Sequence, residues 1–202
     1  MVASPGPGDG EREMVEDFAR CAAMAREAGA QVVEANLSCP NVASAEGDIY
    51  LDARLSGRIA RALAAAAGPL PVALKIGHVP DPRRLARLLG AVAGAARAVI
   101  LVNGLSRRVV RPDGKPAFGP GREAAGILGH AIHEAAVACV SAGAEIARRE
   151  RLDLEVIAVG GVAALQDAED FFAAGAHAVL MGGAPMYDPL LAVRMKRVHP
   201  EW

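Results

Sequence analysis

The string Asn36-Leu37-Ser38-Cys39-Pro40-Asn41 sets one thiol between two carboxamides. In a polar loop held by Pro40 that thiol is accessible, and an ordinary value of about 8.5 makes it a moderate base near neutrality. Asparagine is a poor acid or base but supplies both donors and an acceptor, so an Asn cluster suits a planar polar ligand with carbonyls and N–H groups. Asn103, in Asn103-Gly104-Leu105-Ser106, adds a third carboxamide. Lys75 is one of three lysines among many arginines, and the only one inside a strand pattern. A charge that deep is almost never left unpaired, so it reads as a ligand-facing cation against the alternative of a salt-bridged strand end. Gly160-Gly161 and Gly182-Gly183 let backbone N–H groups approach an anion closely, and Gly126-Ile127-Leu128-Gly129 is suited to line a flat cofactor.

These groups share a mouth only if the elements beneath them alternate regularly. Short apolar or β-branched runs at 31–36, 71–76, 98–103, 155–160 and 177–182 are too short for helices and read as strands buried on both faces. Between them run helical stripes: Met14, Phe18, Cys21 and Ala25; Leu55, Ile59 and Leu63; Leu85, Leu88, Leu89 and Val92; Ile132, Ala136, Cys139 and Gly143. Shorter helices fit 164–173 and 185–197, Pro82 suits a first turn, and Gly29, Gly94 and Gly175 suit positions just past helix ends. The stretch 103–129 reads as one long loop. The alternation predicts a parallel sheet, either open and doubly wound or part of a (β/α)8 barrel, in one domain over residues 1–202. In both cases working groups cluster at the carboxyl ends of the strands, where every candidate above falls. Five strands fall short of a barrel's eight, and 1–10 reads as the end of a strand and its loop, so the chain is expected to be an N-terminally incomplete barrel.

Composition narrows the classes. With 52% hydrophobic residues, 22% charged and a net charge of −1, the chain is neither disordered nor basic enough for nucleic acid or an anionic membrane. The expectation is a cytoplasmic protein with no membrane span and no export signal. Three cysteines without a C-x-x-C pair argue against a disulfide framework or a structural zinc site, and Cys21 and Cys139 read as buried small hydrophobes. His130 and His133, three apart, read as surface or capping histidines lacking a third metal ligand. No metal site is expected. Arg148-Arg149-Glu150-Arg151 reads as a solvated helix end.

The six residues from Asn36 to Asn41 closely resemble the active-site signature of the class 1 dihydroorotate dehydrogenases and the related dihydropyrimidine dehydrogenases. The likeness continues through Val72-Ala73-Leu74-Lys75, Val102-Asn103, 126–129, Val159-Gly160-Gly161-Val162 and Met181-Gly182-Gly183-Ala184. It implies a (β/α)8 barrel of the TIM type, incomplete here, with flavin mononucleotide (FMN) at its C-terminal face. It implies that Cys39 is the base at C5 of dihydroorotate, with hydride passing from C6 to flavin N5. Asn36, Asn41 and Asn103 would hold the pyrimidine, and Asn103 would also touch the flavin. Lys75 would stabilise the reduced ring, Gly126 would lie against it, and Gly160, Gly161, Gly182 and Gly183 would bind phosphate.

Departures from the pattern keep other readings open. Gly104 stands where a hydroxyl residue is usual, as does Gly183, and the family's first three strands have no counterpart here. The alternatives are a related flavin reductase acting on another pyrimidine or enone, and a non-catalytic remnant. The partner implied is a small molecule, and a homodimer is left open. The electron acceptor is not specified by these residues.

Overall fold

The second helix shows how local chemistry sets an element's limits. The Asp52 carboxylate accepts a hydrogen bond from Leu55 N at 2.9 Å, satisfying one otherwise orphaned donor of α2 (Ala53–Ala67), and Gly68 in a positive-φ conformation ends it. Leu55, Ile59 and Leu63 then fall on one stripe, all buried. The same logic opens α3 (Pro82–Val92) at Asp81-Pro82 and closes it before Gly94. The computed structural model describes residues 10–38, 49–119 and 123–202. The remaining elements are α1 (Glu11–Glu27), α4 (His133–Glu150), α5 (Leu165–Ala173), α6 (Ala184–Tyr187) and α7 (Leu191–Val198). The strands are β1 (Val33–Asn36), β2 (Val72–Lys75), β3 (Ala98–Leu101), β4 (Leu105–Arg108), β5 (Ala124–Ile127), β6 (Glu155–Val159) and β7 (Ala178–Leu180).

Five strands form one parallel sheet in the order β1-β2-β3-β6-β7, the five expected runs without a reversal. One face carries Val33, Ala35, Leu37, Val72, Leu74, Ile76, Val99, Leu101, Val156 and Ala158 into a core shared with the helices. Neighbouring helices α1 to α5 pack on one another in chain order. The opposite face holds a separate small cluster, Ala73, Ala98 and Ile100 with Ile157 and Val159 against it, and among the described residues no helix residue joins it. Helices on a single face and an unreversed strand order define barrel-type curvature, not a doubly wound sheet. The sheet does not close, with β1 and β7 at its edges.

That open inner face corrects one expectation. Only β3 is buried along its whole length on both faces; β6 alternates between half-buried and buried residues, and Leu180 of β7 is exposed. Two further elements differ from the sequence reading. The stretch 103–129 is not a plain loop, because β4 and β5 pair antiparallel, Leu105 opposite Ile127 and Ser106 opposite Gly126. A turn at Arg111-Pro112-Asp113-Gly114 reverses the chain, with Gly114 N donating to Arg111 O at 2.9 Å and Gly114 at positive φ. The helix expected over 185–197 is broken at Asp188-Pro189: the residue before a proline is driven out of helical backbone, and Asp188 sits at φ −135, ψ 79. The glycine run before Gly10 and the strand end expected at 1–10 lie outside the described residues, apart from Gly10 itself.

Candidate functional site

The carboxyl ends of the five strands form one rim. Asn36 and Lys75, the last residues of β1 and β2, are register partners, and the ladder continues past them through Leu37 N donating to Lys75 O at 2.8 Å. Because partners in a parallel ladder point to the same face, both side chains stand on the inner face beside the Ala73–Ile100 cluster. Lys75 is half-buried, and among the described residues its ammonium has no ion-pair or hydrogen-bond partner. The Asn36 Oδ1 accepts from Ser38 N at 3.0 Å and from Ser38 Oγ at 3.3 Å, leaving its Nδ2 as the donor arm.

Asn103 follows β3 by two residues and is anchored by its own N–H to Ile76 O at 2.9 Å. Its Nδ2 donates to Ser38 O at 2.8 Å, tying the exit of β3 to the exit of β1 across β2. One amide arm of Asn103 is therefore structural, while its Oδ1 is left as an acceptor. Asn36, Lys75 and Asn103 thus converge, as the sequence suggests. Cys39, the expected base, and Asn41, the expected second flanking carboxamide, lie outside the described residues.

The glycines divide into two kinds. Gly160 (φ +127) and Gly161 (φ +86) occupy backbone that favours glycine, and a Cβ on Gly161 would lie 2.8 Å from His133 Cβ and 3.0 Å from Gly129 O. Close packing against the start of α4 is sufficient reason for both. Gly182 and Gly183 differ, since among the described residues a Cβ on either would meet nothing within 4 Å, and both follow the end of β7. Gly126 lies in the hairpin, exposed, opposite Ser106, and the hairpin's foot stands over the end of β3: a Cβ on Gly104 would come within 2.9 Å of Leu128 Cδ2. Leu128 thus covers the position where the family pattern has a hydroxyl.

Burial, together with the charge of Arg107 on β4, holds the His78 imidazole below its ordinary range. Burial pushes the Cys139 thiol up, which fits an inert core residue. The sequence reading missed His133. It is not a surface histidine, because its side chain is only 12% exposed and faces Asp167 and Asp170 from α5. Those partners are more than thirty residues away, beyond any spacing rule along one helix. Among the described residues no helix is long and apolar enough to cross a membrane.

A one-sided parallel α/β sheet with polar groups at the carboxyl ends of its strands defines a barrel-type protein. The sequence pattern of the family described as "Dihydroorotate dehydrogenase" matches residues 8–200, and the chain belongs to that family. It is similar to a dihydroorotate dehydrogenase of Dictyostelium discoideum, 29% identical over 200 residues, which cover 96% of this chain and 54% of that protein. It is also similar to a dihydroorotate dehydrogenase B (NAD(+)) catalytic subunit of Methanothermobacter thermautotrophicus, 34% identical over 181 residues, 86% of this chain and 55% of the relative. The ligand-free enzyme of Eimeria tenella superposes with a TM-score of 0.73 at 18% identity, over 91% of this chain and 54% of that one, which supports the barrel fold. The chain spans about half the length of the relatives it matches.

Proposed function

We propose that this chain carries the cofactor and substrate face of an FMN-dependent dihydroorotate dehydrogenase, oxidising dihydroorotate to orotate in pyrimidine biosynthesis. The observation that carries the reading is the meeting at one rim of Asn36, Asn103 and a half-buried Lys75, with no partner for Lys75 and open space at Gly182-Gly183 among the described residues. Those groups fit FMN: a cation for an electron-rich ring system, and two glycines at which a phosphate can reach the backbone unobstructed. When bound, FMN supplies the two-electron acceptor that the oxidation requires.

The chain's own residues do the rest. Cys39 takes the proton from C5 of dihydroorotate, and loss of hydride from C6 leaves the C5=C6 double bond of orotate. Asn36, through its Nδ2, and Asn103, through its Oδ1, offer a donor and an acceptor to the substrate's carbonyl and N–H groups, with Asn41 completing the set. In this reading Lys75, at the end of β2, is the rim cation that favours the thiolate and so the base form of Cys39. Asn103, bonded to Ser38 O, fixes the exit of β1 and thereby the segment from which Cys39 acts. Holding substrate between thiol and cofactor converts two transfers on adjacent carbons into one bound geometry.

The test is to load the protein with FMN and add dihydroorotate without oxygen. The visible flavin absorption should bleach, and Cys39→Ala should keep the colour but lose the bleaching. Failure to bind FMN, or bleaching that survives Cys39→Ala, overturns the reading. The Leu128 side chain over Gly104 favours one alternative, a reductase for another pyrimidine or enone, and bleaching by such a compound but not by dihydroorotate would select it.

A further inference from the structure

We propose that His133, Asp167 and Asp170 form a site for a divalent transition-metal ion, joining the first turn of α4 to α5 behind the Gly160-Gly161 turn. His133 Nε2 lies 3.2 Å from Asp170 Oδ2 and 3.7 Å from Asp167 Oδ1, and the ligand atoms all lie within 4.8 Å of one another. Ligands bound at about 2.0–2.1 Å around a tetrahedral ion stand roughly 3.3 Å apart, so the two histidine-to-carboxylate separations are near that spacing before any ion enters, with the carboxylate oxygens within 4.8 Å of each other.

The outer contacts are those that orient metal ligands. The second oxygen of Asp167 accepts from Ala163 N and Ala164 N, both at 2.8 Å, and the second oxygen of Asp170 accepts from Gln166 Nε2 at 3.0 Å. Each carboxylate is pinned by one oxygen and presents the other to His133. The His133 ring is held edge-on by Phe171 at 5.0 Å and stacked on His130 at 5.6 Å. Asp167 is nearly enclosed, with 9% of its side chain exposed, whereas Asp170 at 42% leaves an opening through which an ion and its remaining waters fit. One imidazole and two carboxylates with open positions suit Zn²⁺, Co²⁺ or Ni²⁺ better than Ca²⁺ or Mg²⁺. His133 Nδ1 is buried without a partner, so the metal-bound tautomer carries an unsatisfied N–H, which weakens binding by roughly ten- to a hundredfold relative to a fully supported site.

The site touches the rim without being part of it. His130 Nδ1 contacts Gly161 O at 3.0 Å, and Gly161 abuts His133, so an ion here stiffens the turn after β6. The proposal stands whether or not the rim binds FMN, and its test does not involve flavin. Untagged protein is titrated with CoCl2, following visible d–d absorption, and then with ZnCl2, following displacement of the cobalt spectrum and the thermal midpoint. One saturating cobalt site is expected, displaced by zinc, with a rise in the midpoint. Asp170→Asn, at the most exposed ligand, should weaken cobalt binding by at least about tenfold with unchanged circular dichroism, and His133→Gln should weaken it as much or more. His199→Gln, at the other histidine flanked by two carboxylates, should leave binding unchanged. No saturable cobalt binding, equal binding in Asp170→Asn, or loss in His199→Gln instead, would each overturn the proposal.

Discussion

Replacing Gly161 and Gly182 separately by alanine distinguishes glycine kept for packing from glycine kept for a ligand. At Gly161 the left-handed backbone (φ +86) costs an alanine roughly 1–2 kcal/mol. The new Cβ also meets His133 Cβ at 2.8 Å and Gly129 O at 3.0 Å. Neither can retreat cheaply, since one belongs to the first turn of a packed helix and the other to backbone, so overpacking adds roughly 1–3 kcal/mol. The sum, about 2–5 kcal/mol, lowers the thermal midpoint of a chain this size by roughly 4–20 °C at about 2–4 °C per kcal/mol. At Gly182 a Cβ meets nothing within 4 Å, and φ lies outside the left-handed region, so stability should change by no more than about 0.5 kcal/mol. If the proposed site binds FMN, affinity should reverse the ranking, because a methyl at Gly182 would crowd the backbone at which the phosphate is proposed to bind. The assays are circular-dichroism melting and flavin-fluorescence titration on each variant. A Gly161→Ala protein melting within a degree of the parent, or a Gly182→Ala protein as destabilised as Gly161→Ala, would refute the division.

Other substitutions read different parts of the molecule. Asp167→Ala removes the acceptor of two backbone N–H groups at the start of α5 and should cost about 1–3 kcal/mol in urea unfolding. Asn103→Ala cuts the link to Ser38 O and should raise KM and lower kcat together with a small loss of stability, about 1 kcal/mol. His199 stacks on Trp202 at 4.1 Å, and hydrogen bonds to Glu201 and Glu169 raise its imidazole above the ordinary value. Because the folded value exceeds the unfolded one, the stabilisation is full below about pH 6.5 and is lost as pH rises through the folded value. Fluorescence of Trp202, the one tryptophan in the sequence, should therefore titrate above pH 6.5, and His199→Gln should abolish that titration.

The sheet was legible because its middle strands are near-continuous apolar runs: Val72–Leu74 and Ala98–Leu101 admit no other reading at that length. The hairpin was not, because β4 is Leu-Ser-Arg-Arg with three exposed residues and lacks the alternation that marks a half-buried strand. Its turn, Pro112-Asp113-Gly114, was nonetheless a readable signal. Asn36, Lys75 and Asn103 were found because each ends a recognisable strand run, so the parallel register carries them to one rim. The His133 cluster escaped because its members sit on two helices brought together only by tertiary packing. Glycine was legible as a residue type but not as a cause: Gly160 and Gly161 are accounted for by helix packing, whereas Gly182 and Gly183 face open space.

The most direct test of the rim is equilibrium titration of FMN, by quenching of its fluorescence, into the parent protein and into Lys75→Met. Saturable binding by the parent is expected, weakened roughly ten- to a hundredfold in Lys75→Met for loss of a charged contact, with the unfolding midpoint unchanged because the ammonium has no protein partner among the described residues. Binding of equal strength in both proteins, or none in either, would contradict the account.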